Sequence, residues 1–201
     1  MIFKSSEIRW WSTDKDILWE FYEKLPEKGG GNREPDRTDY YLESGTNNTG
    51  IKIREGKHEL KVKRAKDEEL DFGIMEYWIK WSTSEERNIL NTVDNQLLED
   101  WISVKKKRFK KTYKIINQNE IECIKEGFPA EGCGAEFTEI QIKGLEKSIY
   151  TVGFEAFSSS NRQRENLLNL IDQLNLDFSC FRKKDSYGYP EFLQRHDQKS
   201  K

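Results

Sequence analysis

Residues 50–63 read GIKIREGKHELKVK, and the alternation inside this stretch decides the fold. In the first half Ile51 and Ile53 share one face while Lys52 and Arg54 share the other. In the second half Leu60 and Val62 stand opposite Glu59, Lys61 and Lys63. A period of two places alternate side chains on opposite faces of a strand. Gly56 and Lys57 mark a hairpin turn between the two halves, and His58 beside them has no assigned role. Residues 136–142, EFTEIQI, repeat the pattern with Ile140 and Ile142 against Glu139 and Gln141. Charged faces turned to water are the ordinary arrangement. Repetition over several strands opens an inverted one, in which apolar faces pack outward against helices and charged faces line a barrel. Such a lumen holds ions or charged ligands, because buried charges must be paired or coordinated.

Working outward, residues 3–11, 39–43, 51–54, 59–64, 75–81, 101–116, 121–127, 135–143 and 148–157 read as strands. Three helices carry start signals. Thr13-x-x-Asp16 opens a run with Ile17, Phe21 and Leu25 that Pro26 stops. Thr83-x-x-Glu86 precedes Ile89, Val93 and Leu97, and Ser160-x-x-Gln163 precedes Leu167, Ile171 and Leu174. A shorter helix is expected near Pro190 to Arg195. Gly29-Gly30-Gly31 and the stretch from Gly45 to Gly50 are connectors. No repeat or domain boundary interrupts the chain. The expected fold is α+β, a closed or nearly closed antiparallel β-barrel of about eight strands with helices packed outside.

The chain has 201 residues, of which 35% are hydrophobic and 35% charged, and its mean hydropathy is -0.91. Eleven Phe, eight Tyr and six Trp argue for an ordered core despite that polarity. No apolar run reaches the roughly 20 residues of a membrane helix. The first residues, MIFKSSEIRWW, lack the layout of a signal peptide, so a cytoplasmic location is expected. Cys123, Cys133 and Cys180 show no C-x-x-C spacing and read as free thiols. Two histidines exclude a His-rich zinc site, and no G-x-S-x-G is present. Residues 105–111, KKKRFKK, hold six bases in seven positions, with Lys106, Arg108 and Lys110 on one face. The opposite set, Lys105, Lys107 and Lys111, could form a weak nucleic-acid patch, but the net charge of -2 counts against it. Trp19 reads as core. Trp11 and Trp78 have a parity that could turn them into the lumen, to narrow it or to stack a ring.

The order of segments resembles the CYTH superfamily, the triphosphate tunnel metalloenzymes. The family opens with an E-x-E-x-K strand, and Glu7-Ile8-Arg9-Trp10-Trp11 stands there in this chain. Thr38-Asp39-Tyr40-Tyr41-Leu42-Glu43 takes the place of a tyrosine-containing strand. Gly50–Glu55 stands for an L-R-I-R strand and Glu59–Lys63 for E-L-T-x-K. Lys106 and Arg108 supply K-x-R, Phe137–Ile142 stands for F-x-E-I-E, and Ser186-Tyr187 with Phe192-Leu193 stands for the closing motif. The resemblance covers nearly the whole chain as one domain, residues 1–201, with a disordered tail from about residue 196. It implies an eight-stranded tunnel that binds a linear triphosphate, a polyphosphate or a triphosphate-bearing compound, with hydrolysis assisted by Mg²⁺ or Mn²⁺.

Under that resemblance Lys52, Arg54, Lys63, Lys106 and Arg108 neutralise phosphate oxygens, with Lys183 or Lys184 adding to them. Glu7 and Glu139 serve as catalytic metal ligands, with Glu59 in reserve. Departures cluster on the acidic side. Arg9 and Trp11 replace an acid and a lysine, Gln141 replaces an acid, and Trp78 stands where another acid could fall. The sequence therefore also supports a non-catalytic anion-binding module. A third reading is an interaction protein, or a weak nucleic-acid binder using residues 105–111.

Overall fold

The alternation closes on itself. The computed structural model describes residues 2–27, 32–83 and 101–197. Strand β1 (Ile2–Ser12) pairs antiparallel with β10 (Ile149–Ser158) on one side and with β6 (Ile74–Ser82) on the other. From β10 the wall continues through β9 (Glu131–Ile142), β7 (Ile102–Asn117) and β2 (Asn32–Leu42). It then passes through β3 (Thr49–Arg54) and β4 (Lys57–Lys63) back to β6. These eight strands form the expected closed barrel. Two short additions hang on it: β5 (Glu68–Glu69) on β6 and β8 (Glu120–Ile124) on β7.

Three helices accompany the barrel among the described residues: α1 (Lys15–Glu23), α2 (Gln163–Leu174) and α3 (Tyr189–Asp197). The cap of α1 falls one residue later than the sequence suggests. Asp14, not Thr13, accepts from the Asp16 amide at 3.0 Å. Before α2, Ser158 Oγ accepts from the Arg162 amide at 2.9 Å, and Asn175 ends the helix in the left-handed region. The helix expected from Thr83 to Leu97, beyond Thr83 itself, the Gly29–Gly31 connector and the tail beyond residue 197 lie outside the described residues. Residues 195–197 are still helical. None of the described helices is long and apolar enough to cross a membrane.

The wall has its apolar side outward. Ile8 and Trp10 of β1, Val152, Phe154 and Ala156 of β10, and Cys133, Ala135 and Phe137 of β9 are all buried on that side. They pack against Leu18, Phe21 and Tyr22 of α1 and Leu167, Leu170 and Leu174 of α2. Each large side chain fully buried in this layer contributes roughly 1.5–3 kcal/mol. A second apolar cluster sits inside the barrel at one end. There Trp11, Tyr41, Val104, Ile140, Ile142 and Ile149 meet Tyr187, Phe192 and Leu193. Helix α3 thus closes one end of the lumen, with the Trp11 ring stacked on Phe192 at 3.8 Å and 4°.

Candidate functional site

Strand parity decides which side chains reach the lumen. On β1 the inward set is Ser5, Glu7, Arg9 and Trp11; on β7 it is Val104, Lys106, Arg108 and Lys110. β3 contributes Lys52 and Arg54, β4 Glu59 and Lys61, and β6 Glu76, Trp78 and Lys80. The cavity measures about 630 Å³, and among the described residues ten cationic against seven carboxylate side chains line it. Cations therefore exceed acids on the cavity surface.

The deepest charge is Asp39, with no exposed surface. Four cations surround its carboxylate: Lys106 at 2.9 Å, Arg37 at 3.1 Å, Arg54 at 3.5 Å and Lys52 at 3.7 Å. Burial pushes this acid up, yet Lys106 and its three companions hold it well below the ordinary carboxylate range. Burial and the neighbouring Arg54 lower Lys52 to about 8. Burial likewise drives Lys106 well down. Lys106 also donates to Tyr41 Oη at 2.7 Å and lies 3.9 Å from the centre of the Tyr189 ring.

Further along the lumen each acid has a cationic partner or sits in a cationic field. Glu59 meets Lys52 at 3.0 Å and Arg54 at 3.4 Å. Although burial raises it, those two cations bring Glu59 to about 2. Glu136 accepts from Arg108 at 3.2 Å. Burial is likewise outweighed there, by Arg9 and Arg108, and Glu136 also falls to about 2. Arg9 can lie flat over β10 because Gly153 has no side chain; a Cβ there would stand 3.2 Å from the Arg9 Cβ and 2.8 Å from Ile8 O. Glu7 accepts from Lys61 at 2.5 Å and from Ser5. Against the effect of burial, Lys61 keeps Glu7 below its ordinary value. Glu76 behaves oppositely. Burial raises it, even with Lys63 3.0 Å away.

One guanidinium donor remains unmet among the described residues. The Nε atoms of Arg37 and Arg54 point at Asp39 Oδ1 from 3.1 and 3.5 Å without hydrogen-bond alignment, and the buried Nε of Arg108 makes no hydrogen bond. A buried donor without a partner is destabilising by about 1–3 kcal/mol. An anion in the cavity would relieve it.

Glu7, Glu59, Lys52, Arg54, Lys106 and Arg108 are brought together on the lumen wall. Lys63 is held at the edge of this set between Asp67 at 2.7 Å and Glu76 at 3.0 Å. Three expected site residues stand elsewhere. Glu139 lies on the outer side of β9, where it accepts from Lys107 at 3.3 Å. It is an odd number of residues from the inward Glu136, so the pleat puts the two acids on opposite faces. Lys183 and Lys184 belong to an exposed 3₁₀ turn, and Lys183 reaches Glu69 at 3.6 Å instead of the cavity. The acids that the register places side by side are Glu155, Glu7 and Glu76 on β10, β1 and β6.

Sequence reasoning missed Asp39 as a hub, and with it Arg37, Lys61, Lys80, Glu136 and Glu155, while it placed Lys110 on the face of Lys106 and Arg108 without assigning it a role. A signal for Glu136 was present, since Lys106, Arg108 and Lys110 already defined an inward face whose partners on the next strand must share it. Trp11 and Trp78 do face inward, but neither ring is free. Trp11 is covered by Phe192, and the Lys61 and Lys63 ammoniums lie 5.0 and 5.4 Å from the Trp78 ring centre.

The metal-ligand set implied by the resemblance does not fit. Glu139 is outside, Glu59 is neutralised by Lys52 and Arg54, and Glu7 is held by Lys61. Among the described residues no three His, Cys, Asp or Glu side chains are grouped to hold a metal ion. No protein-family model and no curated protein matches the chain.

Proposed function

We propose that the lumen binds a linear triphosphate or a triphosphate-bearing compound. The observation that carries this reading is the inverted wall: apolar faces of β1, β9 and β10 lie under helices while an excess of cations among the described residues, Arg108 with an unmet Nε donor, lines the cavity. Phosphate recognition needs such preset donors, and guanidinium groups present them in a planar fork. The resemblance to the triphosphate tunnel enzymes supports the same ligand class. Lys52, Arg54, Lys61 and Arg108 would meet the phosphate oxygens, and Asp39 would hold the cations of the deep end at a fixed spacing. The expected acids are held by lysine and arginine, which favours binding over metal-assisted hydrolysis.

The test is a thermal shift with tripolyphosphate, ATP and thiamine triphosphate, run with Mg²⁺, with Mn²⁺ and with EDTA, beside phosphate release. A stabilisation that persists in EDTA and vanishes in Arg54→Glu is the expected result. No stabilisation by any of the three compounds, or one that Arg54→Glu leaves intact, would overturn the proposal. Release of phosphate that requires the metal would add hydrolysis to binding.

A further inference from the structure

The barrel wall is irregular at one place on β2. Glu34 pairs with Arg108 and Arg37 with Lys106, so Pro35 and Asp36 together stand opposite the single residue Lys107. Proline brings no amide hydrogen to the ladder, and a two-against-one bulge bends its strand. A second cavity of about 250 Å³ opens there, apart from the lumen. That volume lies below the roughly 300 Å³ at which pockets for organic ligands begin, so the hollow suits a small ion.

The register builds its lining in two rows. Thr38, Lys105 and Gln141 lie side by side on β2, β7 and β9. In the next row Lys107 pairs with Glu139 and stands opposite Asp36 of the bulge. Arg37 and Lys106 line this cavity as well as the lumen, so among the described residues four cations meet two acids. Both acids are already answered. Asp36 accepts from Arg33 at 3.1 Å, and Glu139 accepts from Lys107 at 3.3 Å and from Ser148 at 3.4 Å. Lys105 is exposed and has no ion pair among the described residues. One row therefore offers an unpaired ammonium between a hydroxyl and an amide, and all three can donate to oxygen.

The basic run 105–111 does not extend this row into a track for a nucleic-acid backbone. Lys111 is buried, and it donates to Tyr22 O at 3.2 Å and Leu25 O at 2.9 Å at the end of α1. Lys105 and Lys107 remain on the outer face, a footprint for one phosphate-sized group.

We infer that this hollow is a second anion site, which takes an oxyanion of orthophosphate size on the outer side of the wall. Lys105 supplies the charge, Thr38 and Gln141 donate to the oxygens, and Arg37 and Lys106 add positive field from the shared wall. The site stands whether or not the lumen takes a triphosphate.

The test is an orthophosphate titration of the ¹⁵N-labelled full chain in EDTA, followed by its backbone amides. Movement of Thr38, Lys105, Lys107 and Gln141 along one binding curve is the expected result. Because Lys105 is exposed, Lys105→Ala keeps the fold, and it should weaken that curve about tenfold. Asp36→Asn removes an acid from the rim and should tighten it. Shifts confined to lumen residues such as Lys52 and Arg54, or an outer curve that Lys105→Ala leaves in place, would overturn the inference. So would a single-stranded oligonucleotide that moves the same four amides at lower concentration than orthophosphate.

Discussion

Lysine beside aromatic rings occurs at both ends of the lumen, and the two ends use the pair differently. At the closed end Lys106 is 3% exposed, bonded to Asp39 and Tyr41, and roofed by Tyr189. At the open end Lys80 lies over Phe3, beside a Phe128 that faces water. The same chemistry is therefore structural where every partner is internal and solvent-facing where a ring face is left over. Burial sets the difference: a charge removed from water must be answered by the fold itself.

The largest break in this contrast comes from unplugging the closed end. Phe192 is fully buried and stacked on Trp11, so Phe192→Ala should lower stability by about 3–5 kcal/mol in urea unfolding. Phe128→Ala at the open end should stay within about 0.5 kcal/mol of the natural chain. Equal losses would erase the distinction between the two ends.

Next in size is the hub. Asp39→Asn leaves Lys106, Arg37, Arg54 and Lys52 facing one another without their acid. Removing one member of a buried ion pair is destabilising by about 3 kcal/mol or more. Because the lost charge is negative, tripolyphosphate should restore a larger share of stability to Asp39→Asn than it adds to the natural chain. A smaller gain in the variant would place the phosphates away from Asp39.

How far this was readable from sequence follows from parity. Ile51/Ile53 against Lys52/Arg54 announced a two-faced strand, and repetition of the pattern announced a closed wall. On β1, β9 and β10 the face turned inward depended on helices covering the other, information carried by Phe21, Leu167 and Leu174 rather than by the strands. Strand ends were less legible. β2 begins at Asn32, because a register shift between Glu34 and Arg37 accommodates Pro35 and hides the alternation. β9 begins at Glu131, where Gly132 and Gly134 supply no side chain to show a period. The site failed where pairing partners decide it. Glu139 sits in a motif-like string, and the register of β9, which sets Glu136 opposite Lys110 and Glu139 opposite Lys107, makes Glu136 the inward acid.

Proton linkage sharpens the comparison through Lys52. Its folded value of about 8 lies below the ordinary 10.5, so between these limits the unfolded chain binds more protons. Stability without ligand should then rise as pH climbs from about 8 toward 10.5. Anion affinity should run the other way, falling as Lys52 loses its charge above about 8. Calorimetry at pH 8 in buffers of different ionisation enthalpy should show proton uptake on tripolyphosphate binding. Affinity that rises with pH would remove Lys52 from the phosphate contacts.

The smallest expected effect tests the open end alone. Lys80→Ala removes an ammonium whose partners among the described residues are the Phe3 ring face and the distant field of Glu59. Stability should change by no more than about 0.5 kcal/mol, since neither neighbour is left as a buried unpaired charge. The readout that should move is association rate. A cation at the rim steers an anion inward, so the rate for tripolyphosphate should fall in Lys80→Ala and become less sensitive to salt. Lys106→Ala should do the reverse, with a large loss of stability and little change in salt dependence, because its charge is already answered by Asp39. If both substitutions altered stability alike, Lys80 would belong to the wall and not to the entrance.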